Sequence, residues 1–183
     1  MKSMNNRKKE KTKNIMKNKQ FDFSGWATKF DKKCSDGRTI RKGAFEHCDG
    51  EVVPLIYSHD HSNITSVVGN ALLECRPEGV YAYGSFNNTN NGQDAFEMVK
   101  HGDIRHLSIY ANHLTERGGD VFHGDIKEVS LVLAGANPGA YIDVPYIEHG
   151  EDGLYDFEAR IYNDDEDMII LSHSDKKKKE DIA

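Results

Sequence analysis

The sequence predicts a mainly β fold, a sandwich or barrel of about seven strands with one clear helix. Three observations carry that expectation. Short apolar or alternating segments recur along the middle of the chain. Turn residues such as Arg76-Pro77-Glu78-Gly79 and Asn137-Pro138-Gly139 separate them. Only one stretch has helical periodicity. No internal repeat is visible.

Phe21 to Phe30 alternates apolar and polar residues, the period of a half-buried strand. Arg38 to His47 reads as a short helix or turn. Val52 to Tyr57 (VVPLIY) is a compact apolar run, a buried strand with Pro54 near its start. Ser66 to Cys75 and Val80 to Phe86 are two further strands, and the PEG turn between them predicts a hairpin. Asn90 to His101 is the helix, with Ala95, Met98 and Val99 on one face and Gly102 as its stop. Ile104 to His113 and Val121 to Leu133 are strands, and Ala140 to Ile147 is the last.

Charge divides the 183-residue chain. Residues 1–20 hold eight Lys or Arg and one acid, Glu10, while the remainder holds 16 basic and 29 acidic residues. The arm has almost nothing to bury, so a disordered segment is expected over 1–20. It has the charge to touch nucleic acid or an acidic partner, but a solvated tail is the plainer reading, and no specific nucleic-acid partner is expected. Residues 149–183 form an acidic and then lysine-rich tail that contains the run Lys176–Lys179. Two apolar patches, Leu154-Tyr155-Phe157 and Met168–Leu171, could dock a short element there. The folded body is placed at 21–148. No apolar run approaches the roughly 20 residues of a membrane span, and the basic N-terminus lacks an apolar stretch behind it, so neither a membrane partner nor a secretory signal is expected. Cys34, Cys48 and Cys75 are too few and odd in number for a disulfide framework and read as free thiols in a reducing compartment.

Three segments have the residue types of nucleophilic catalysis. Ser58-His59-Asp60-His61 follows the buried strand VVPLIY. A histidine at the end of a rigid strand titrates near neutrality and is held in place, as a general base requires. His106-Leu107-Ser108-Ile109-Tyr110 sets Leu107 and Ile109 toward the core and Ser108 on the other face, where a sheet can hold a nucleophile. In Lys127-Glu128-Val129-Ser130-Leu131, Val129, Leu131 and Leu133 share one face and Glu128 and Ser130 the other. A carboxylate so placed can orient a histidine. Each motif alone has a plainer reading: a polar surface turn, an ordinary strand serine, an exposed strand acid. Ser130 is a rival nucleophile, disfavoured by lying two residues from the candidate acid. His59 and His61 are also a conceivable zinc pair, but no CxxC or HExxH pattern accompanies them. No metal and no cofactor is expected.

Taken together and in order, the segments FSGWAT, RKGAF, VPLIYSHD, PEGVYAYGSF, NGQDAFEMVKHGDIRHLSIY and DIKEVSLVLAGANPGA resemble the prohead serine proteases of tailed bacteriophages over residues 21–147. That family is similar in fold to the herpesvirus assembly proteases. The resemblance implies a closed or partly open β-barrel of about seven strands flanked by helices. It implies His59 as base, Ser108 as nucleophile and Glu128 as third triad member. It further implies an endopeptidase acting inside the procapsid, in the host cytoplasm. Its substrate would be a scaffold protein or the scaffolding segment of the major capsid protein, and the enzyme itself. A homodimer is plausible on the same ground.

The chain departs from the family pattern in places. Tyr110 stands where many members have Gly, and Gly135 where Pro is frequent. The herpesvirus enzymes place arginines after the third strand to help hold the oxyanion; this chain has none at the corresponding place, so backbone N–H donors are expected, with Gly135 to Gly139 as the candidate loop. Two alternative readings are a catalytically inactive assembly protein of the same fold and a metal-dependent hydrolase built on His59 and His61.

Overall fold

β-branched and aromatic runs divided by glycine-rich turns give eight strands paired in one sheet. The computed structural model describes residues 20–149 and the strand segments 155–156, 158–162 and 168–172. The chain divides into two compact units, residues 1–146 and 147–183. In the first, the strands are β1 (Phe23–Lys29), β2 (Thr39–Ile40), β3 (Val52–Tyr57), β4 (Val67–Arg76), β5 (Gly79–Phe86), β6 (His106–Arg117), β7 (Asp120–Val132) and β8 (Ile142–Val144), with helix α1 (Asn90–His101) between β5 and β6. Two single turns of 3-10 helix, Glu46–Cys48 and Ile64–Ser66, sit in the connections.

The strand order is β2-β7-β3-β4-β5-β1-β8, with β6 on the remaining edge of β7. β7 is therefore the hub. β6 runs antiparallel along it, from Arg117 opposite Asp120 to His106 opposite Val132. Gly118 and Gly119, both at positive φ, make the two-residue turn that joins them. On its other edge β7 takes β2 at its start and β3 at its end, and both of these pairings are parallel. The predicted β4–β5 hairpin is present, in register from Gly69 opposite Phe86 to Arg76 opposite Gly79.

The expected barrel of about seven strands flanked by helices holds only in part. The sheet has eight strands, one α-helix lies among the described residues, and the ladder does not close. The two ends of the sheet meet at a single isolated bridge, His106 to Tyr141. Leu107 N–H to Ala140 O (3.4 Å) and Ile142 N–H to Arg105 O (2.9 Å) accompany it. With β8 only three residues long, no continuous ladder forms there. The Arg38–His47 segment contributes the short strand β2, followed by turns and the first 3-10 helix, rather than one helical element.

α1 has the predicted bounds. Thr89 caps it by accepting from Gly92 N–H, and Gly102 ends it at φ 90°. Its buried residues are Gly92, Ala95 and Val99. Met98, expected on that face, is 46 % exposed. Leu133 is likewise exposed, because β7 ends at Val132. The core between the strands centres on Phe23, Phe45, Leu55, Leu73, Leu107, Ile126, Val129 and Leu131. All three cysteines are free. Cys75 donates to Phe45 O (3.0 Å), and burial pushes its thiol up to about 12.

The basic arm lies outside the described residues, except for Gln20, as do Leu154, Phe157 and the Lys176–Lys179 run. In the second unit, Glu148–His149 pairs with Tyr155–Asp156, and Glu158–Tyr162 pairs with Met168–Ser172. The apolar patch 168–171 is thus part of a strand.

Gly84 on β5 faces the fully buried ring of Phe23, and a Cβ added there would collide with the ring edge. Gly84→Ala should destabilise the protein by about 1–3 kcal/mol through overpacking. The denaturant midpoint of the variant against wild type measures it; an unchanged midpoint would mean that Phe23 repacks freely.

Candidate active site

The parallel pairing of β3 with β7 decides where the chain emerges. Leu55, Ile56 and Tyr57 lie opposite Val129, Ser130 and Leu131, so β3 ends beside the polar face of β7. Ser58 then donates its N–H to Leu131 O (2.9 Å), continuing the ladder by one bond. Ser58 and His59 both adopt left-handed backbone, at φ 55° and 54°. Each such residue costs about 1–2 kcal/mol when it is not glycine. The reversal turns the His59 ring back over β7. His59 N–H donates to Ser130 Oγ (3.1 Å) and fixes the turn there.

Asp60 braces the same turn. Its carboxylate accepts from Ser62 N–H (3.0 Å), Ser62 Oγ (2.6 Å) and Ser66 Oγ (2.6 Å). These hydrogen bonds hold its pKa below the usual carboxylate value.

Antiparallel register supplies the other two groups. Ser108 on β6 lies opposite Ser130, and Tyr110 lies opposite Glu128. His59 reaches both strands: its Nε2 is 2.9 Å from Ser108 Oγ and its Nδ1 is 2.6 Å from Glu128 Oε1. The three residues singled out in the sequence, from separate elements, thus form one hydrogen-bonded chain. An ionised Glu128 accepts from Nδ1–H, which leaves Nε2 as acceptor for the Ser108 hydroxyl. The Glu128 side chain is 3 % exposed, while that of His59 is 36 % exposed. The carboxylate is interior and the imidazole sits at the solvent edge.

A buried carboxylate needs donors on both oxygens. His59 serves Oε1, and Ser130 Oγ donates to Oε2 at 2.7 Å. Ser130 is fully buried. In the sequence Ser130 is a rival, disfavoured nucleophile; in the structure its hydroxyl is turned to Glu128 and to the His59 backbone. The signal that could have found this role was the Glu-x-Ser spacing itself, which places both side chains on one face of the strand.

His59 and His61 do not converge. Both ring nitrogens of His59 face Glu128 and Ser108, and His61 packs edge-on against Tyr110 with ring centroids 5.0 Å apart. Among the described residues, the histidines and acids close enough to share a metal ion are His47, His123 and Asp125.

His59 and Ser108 open into a cleft of about 320 Å³, walled by Ile40, Phe45, Tyr110 and Leu114 and by Ala136 and Asn137. The last two belong to the loop between β7 and β8, which contains the expected oxyanion segment. That loop is tightly held. Asn137 Nδ2 donates to Thr28 Oγ1 (3.0 Å) and Lys29 O (2.8 Å), and Gly139 N–H returns to Asn137 Oδ1 (2.9 Å). A Cβ on Gly135 would stand 2.7 Å from Leu107 O, so only glycine lets the loop run this close to the strand of Ser108.

The sequence matches the model of one protein family, the caudovirus prohead serine proteases, over residues 5–152. The chain belongs to this family. Among solved structures, this prohead protease family member is similar to proteases of Kaposi's sarcoma herpesvirus (KSHV). One is KSHV protease in complex with a hexapeptide phosphonate inhibitor, at 15 % identity and a TM-score of 0.43, covering 66 % of this chain and 63 % of that one. A second KSHV protease structure shares 13 % identity at a TM-score of 0.40, covering 66 % of this chain and 58 % of that one. The KSHV protease in complex with an allosteric inhibitor shares 15 % identity at 0.40, covering 66 % and 75 %. The chain therefore spans less than two thirds of the length of the first two. Among curated proteins, none matches the sequence.

Ser130→Ala leaves Glu128 Oε2 and His59 N–H without their partner. It should lower stability by about 1–3 kcal/mol. Equilibrium denaturation reads this directly, and a loss below that range would mean that water replaces the hydroxyl at no cost.

Proposed function

We propose that this protein is a prohead maturation endopeptidase in which Ser108 is the nucleophile, His59 the general base and Glu128 the residue that orients it. The observation that carries the proposal is the unbroken chain Ser108 Oγ–His59 Nε2 and His59 Nδ1–Glu128 Oε1 in a member of a serine protease family. The protease body corresponds to residues 21–148.

The geometry supports these roles. Glu128 accepts from Nδ1–H and keeps the lone pair of Nε2 toward Ser108. His59 takes the hydroxyl proton as Ser108 Oγ attacks a peptide carbonyl, and Glu128 stabilises the imidazolium that forms. His59 returns the proton to the leaving amine, giving an acyl-enzyme. Water enters, His59 takes its proton, and the ester is hydrolysed. Backbone N–H groups of Gly135, Ala136 and Asn137, in the loop beside Ser108, receive the developing oxyanion, since Pro138 has no N–H and that of Gly139 is held by Asn137 Oδ1. The pinned Asn137 supports this assignment, because donors that do not reorganise stabilise charge best.

The substrate is a scaffold protein or the scaffolding segment of the major capsid protein, cut inside the procapsid in the host cytoplasm. The basic arm over 1–20 and the lysine-rich tail are self-cleavage candidates, since terminal segments whose sequence has little to bury are favoured protease substrates. A homodimer is compatible with this reading. Family membership supports these readings, and the first measurement to test them is intact mass spectrometry after coexpression with the candidate capsid or scaffold protein.

Wild type should release discrete fragments, and Ser108→Ala and His59→Ala should release none. Glu128→Ala should cut at the same sites about 10⁴-fold more slowly. Fragments with Ser108→Ala would move the nucleophile elsewhere. No fragments with wild type would favour an assembly protein without activity.

A further inference from the structure

Four side chains able to bind a metal ion gather where the turn Glu46–Cys48 meets the β6–β7 hairpin, and none of them lines the cleft. His123 and Asp125, two residues apart, share one face of β7. A bulge in β6 between Asn112 and Thr115, with His113 at φ 50°, brings the third residue toward them. His47 comes from the 3-10 turn. Its Nε2 lies 3.0 Å from Asp125 Oδ1, and His113 Nδ1 lies 2.7 Å from Asp125 Oδ2. The His47 and His123 rings stack with centroids 4.5 Å apart. One ligand atom each from His47, His123 and Asp125 falls within 4.8 Å of the others.

We propose that His47, His123 and Asp125 bind a divalent transition-metal ion, zinc by the chemistry of the donor set, with His113 holding the second oxygen of Asp125. Two imidazole nitrogens and one carboxylate oxygen are donors that zinc accepts, leaving its fourth position to water. Tetrahedral ligands about 2 Å from a zinc ion stand roughly 3.3 Å apart. The observed spread requires side-chain rotation of about an ångström, which partly exposed rings on a turn and a hairpin allow. His113 plays the part that outer hydrogen bonds to ligating carboxylates commonly play, fixing the orientation of Asp125. The site would tie the Glu46–Cys48 turn to β7. Phe45, two residues before His47, forms a wall of the cleft, so the ion would stiffen that wall.

The test uses the full chain and two probes. Cobalt(II) reports coordination by its visible absorption, and zinc(II) displaces it. Wild type should bind one equivalent through this set, and zinc should raise its thermal midpoint. His123→Ala and Asp125→Asn should each weaken binding more than about tenfold and abolish the midpoint shift, and His113→Ala should weaken it about tenfold. His61→Ala should bind as wild type does. His123 is exposed, so its variant stays folded even if Asp125→Asn does not. No binding at micromolar metal, or affinity unchanged in both His123→Ala and Asp125→Asn, would overturn the site.

Discussion

The arrangement depends on one buried carboxylate. Glu128 sits on the strand that three others pair with, nearly out of contact with water. Left without donors it would cost several kcal/mol. Its two oxygens are met by groups from two elements: His59 at the end of β3 and Ser130 two residues along β7. The same serine accepts from the His59 backbone. Moving any one of the three groups leaves the other two unsatisfied, so the carboxylate holds the imidazole in a single orientation. Ser108 completes the set from β6.

Sheet topology makes this constraint cheap to meet. Parallel pairing of β3 on one edge of β7 and antiparallel pairing of β6 on the other bring residues 59, 108 and 128 to one end of the sheet. Neither pairing can slip by one residue without sending Glu128 and Ser130 to the wrong face. The remaining cost is local: two consecutive left-handed residues at Ser58 and His59. The bonds of Ser58 to Leu131 and of His59 to Ser130 offset it, and Asp60 ties down the outgoing chain. Strain of this kind is a common feature of preorganised sites.

Much of this was legible in the sequence, and the reasons differ by element. VVPLIY, the PEG hairpin and the helix ending at Gly102 were readable because composition, turn residues and periodicity agree there. Met98 was misplaced because helix periodicity alone does not say how wide the buried stripe is. β2 was missed because two residues carry no pattern. The barrel was over-read because closure depends on the length of β8, which only tertiary contacts decide. His59, Ser108 and Glu128 were legible as candidates from residue type and as a set from the order of motifs; their distances required the β3–β7 pairing, which sequence alone does not show. The role of Ser130 was hidden behind its chemistry as a nucleophile. The group of His47, His113, His123 and Asp125 was invisible to motif spacing, since its members come from a turn, a bulge and a strand.

The central claim is that Ser108, activated through His59 by Glu128, is the nucleophile. The most direct measurement is treatment of the full chain with a serine-directed fluorophosphonate, followed by peptide mapping. The account predicts a single stoichiometric adduct on the peptide carrying Ser108, formed far more slowly in Glu128→Ala and absent in His59→Ala. An adduct on Ser130, or labelling of Ser108 that proceeds equally well without His59, would contradict it.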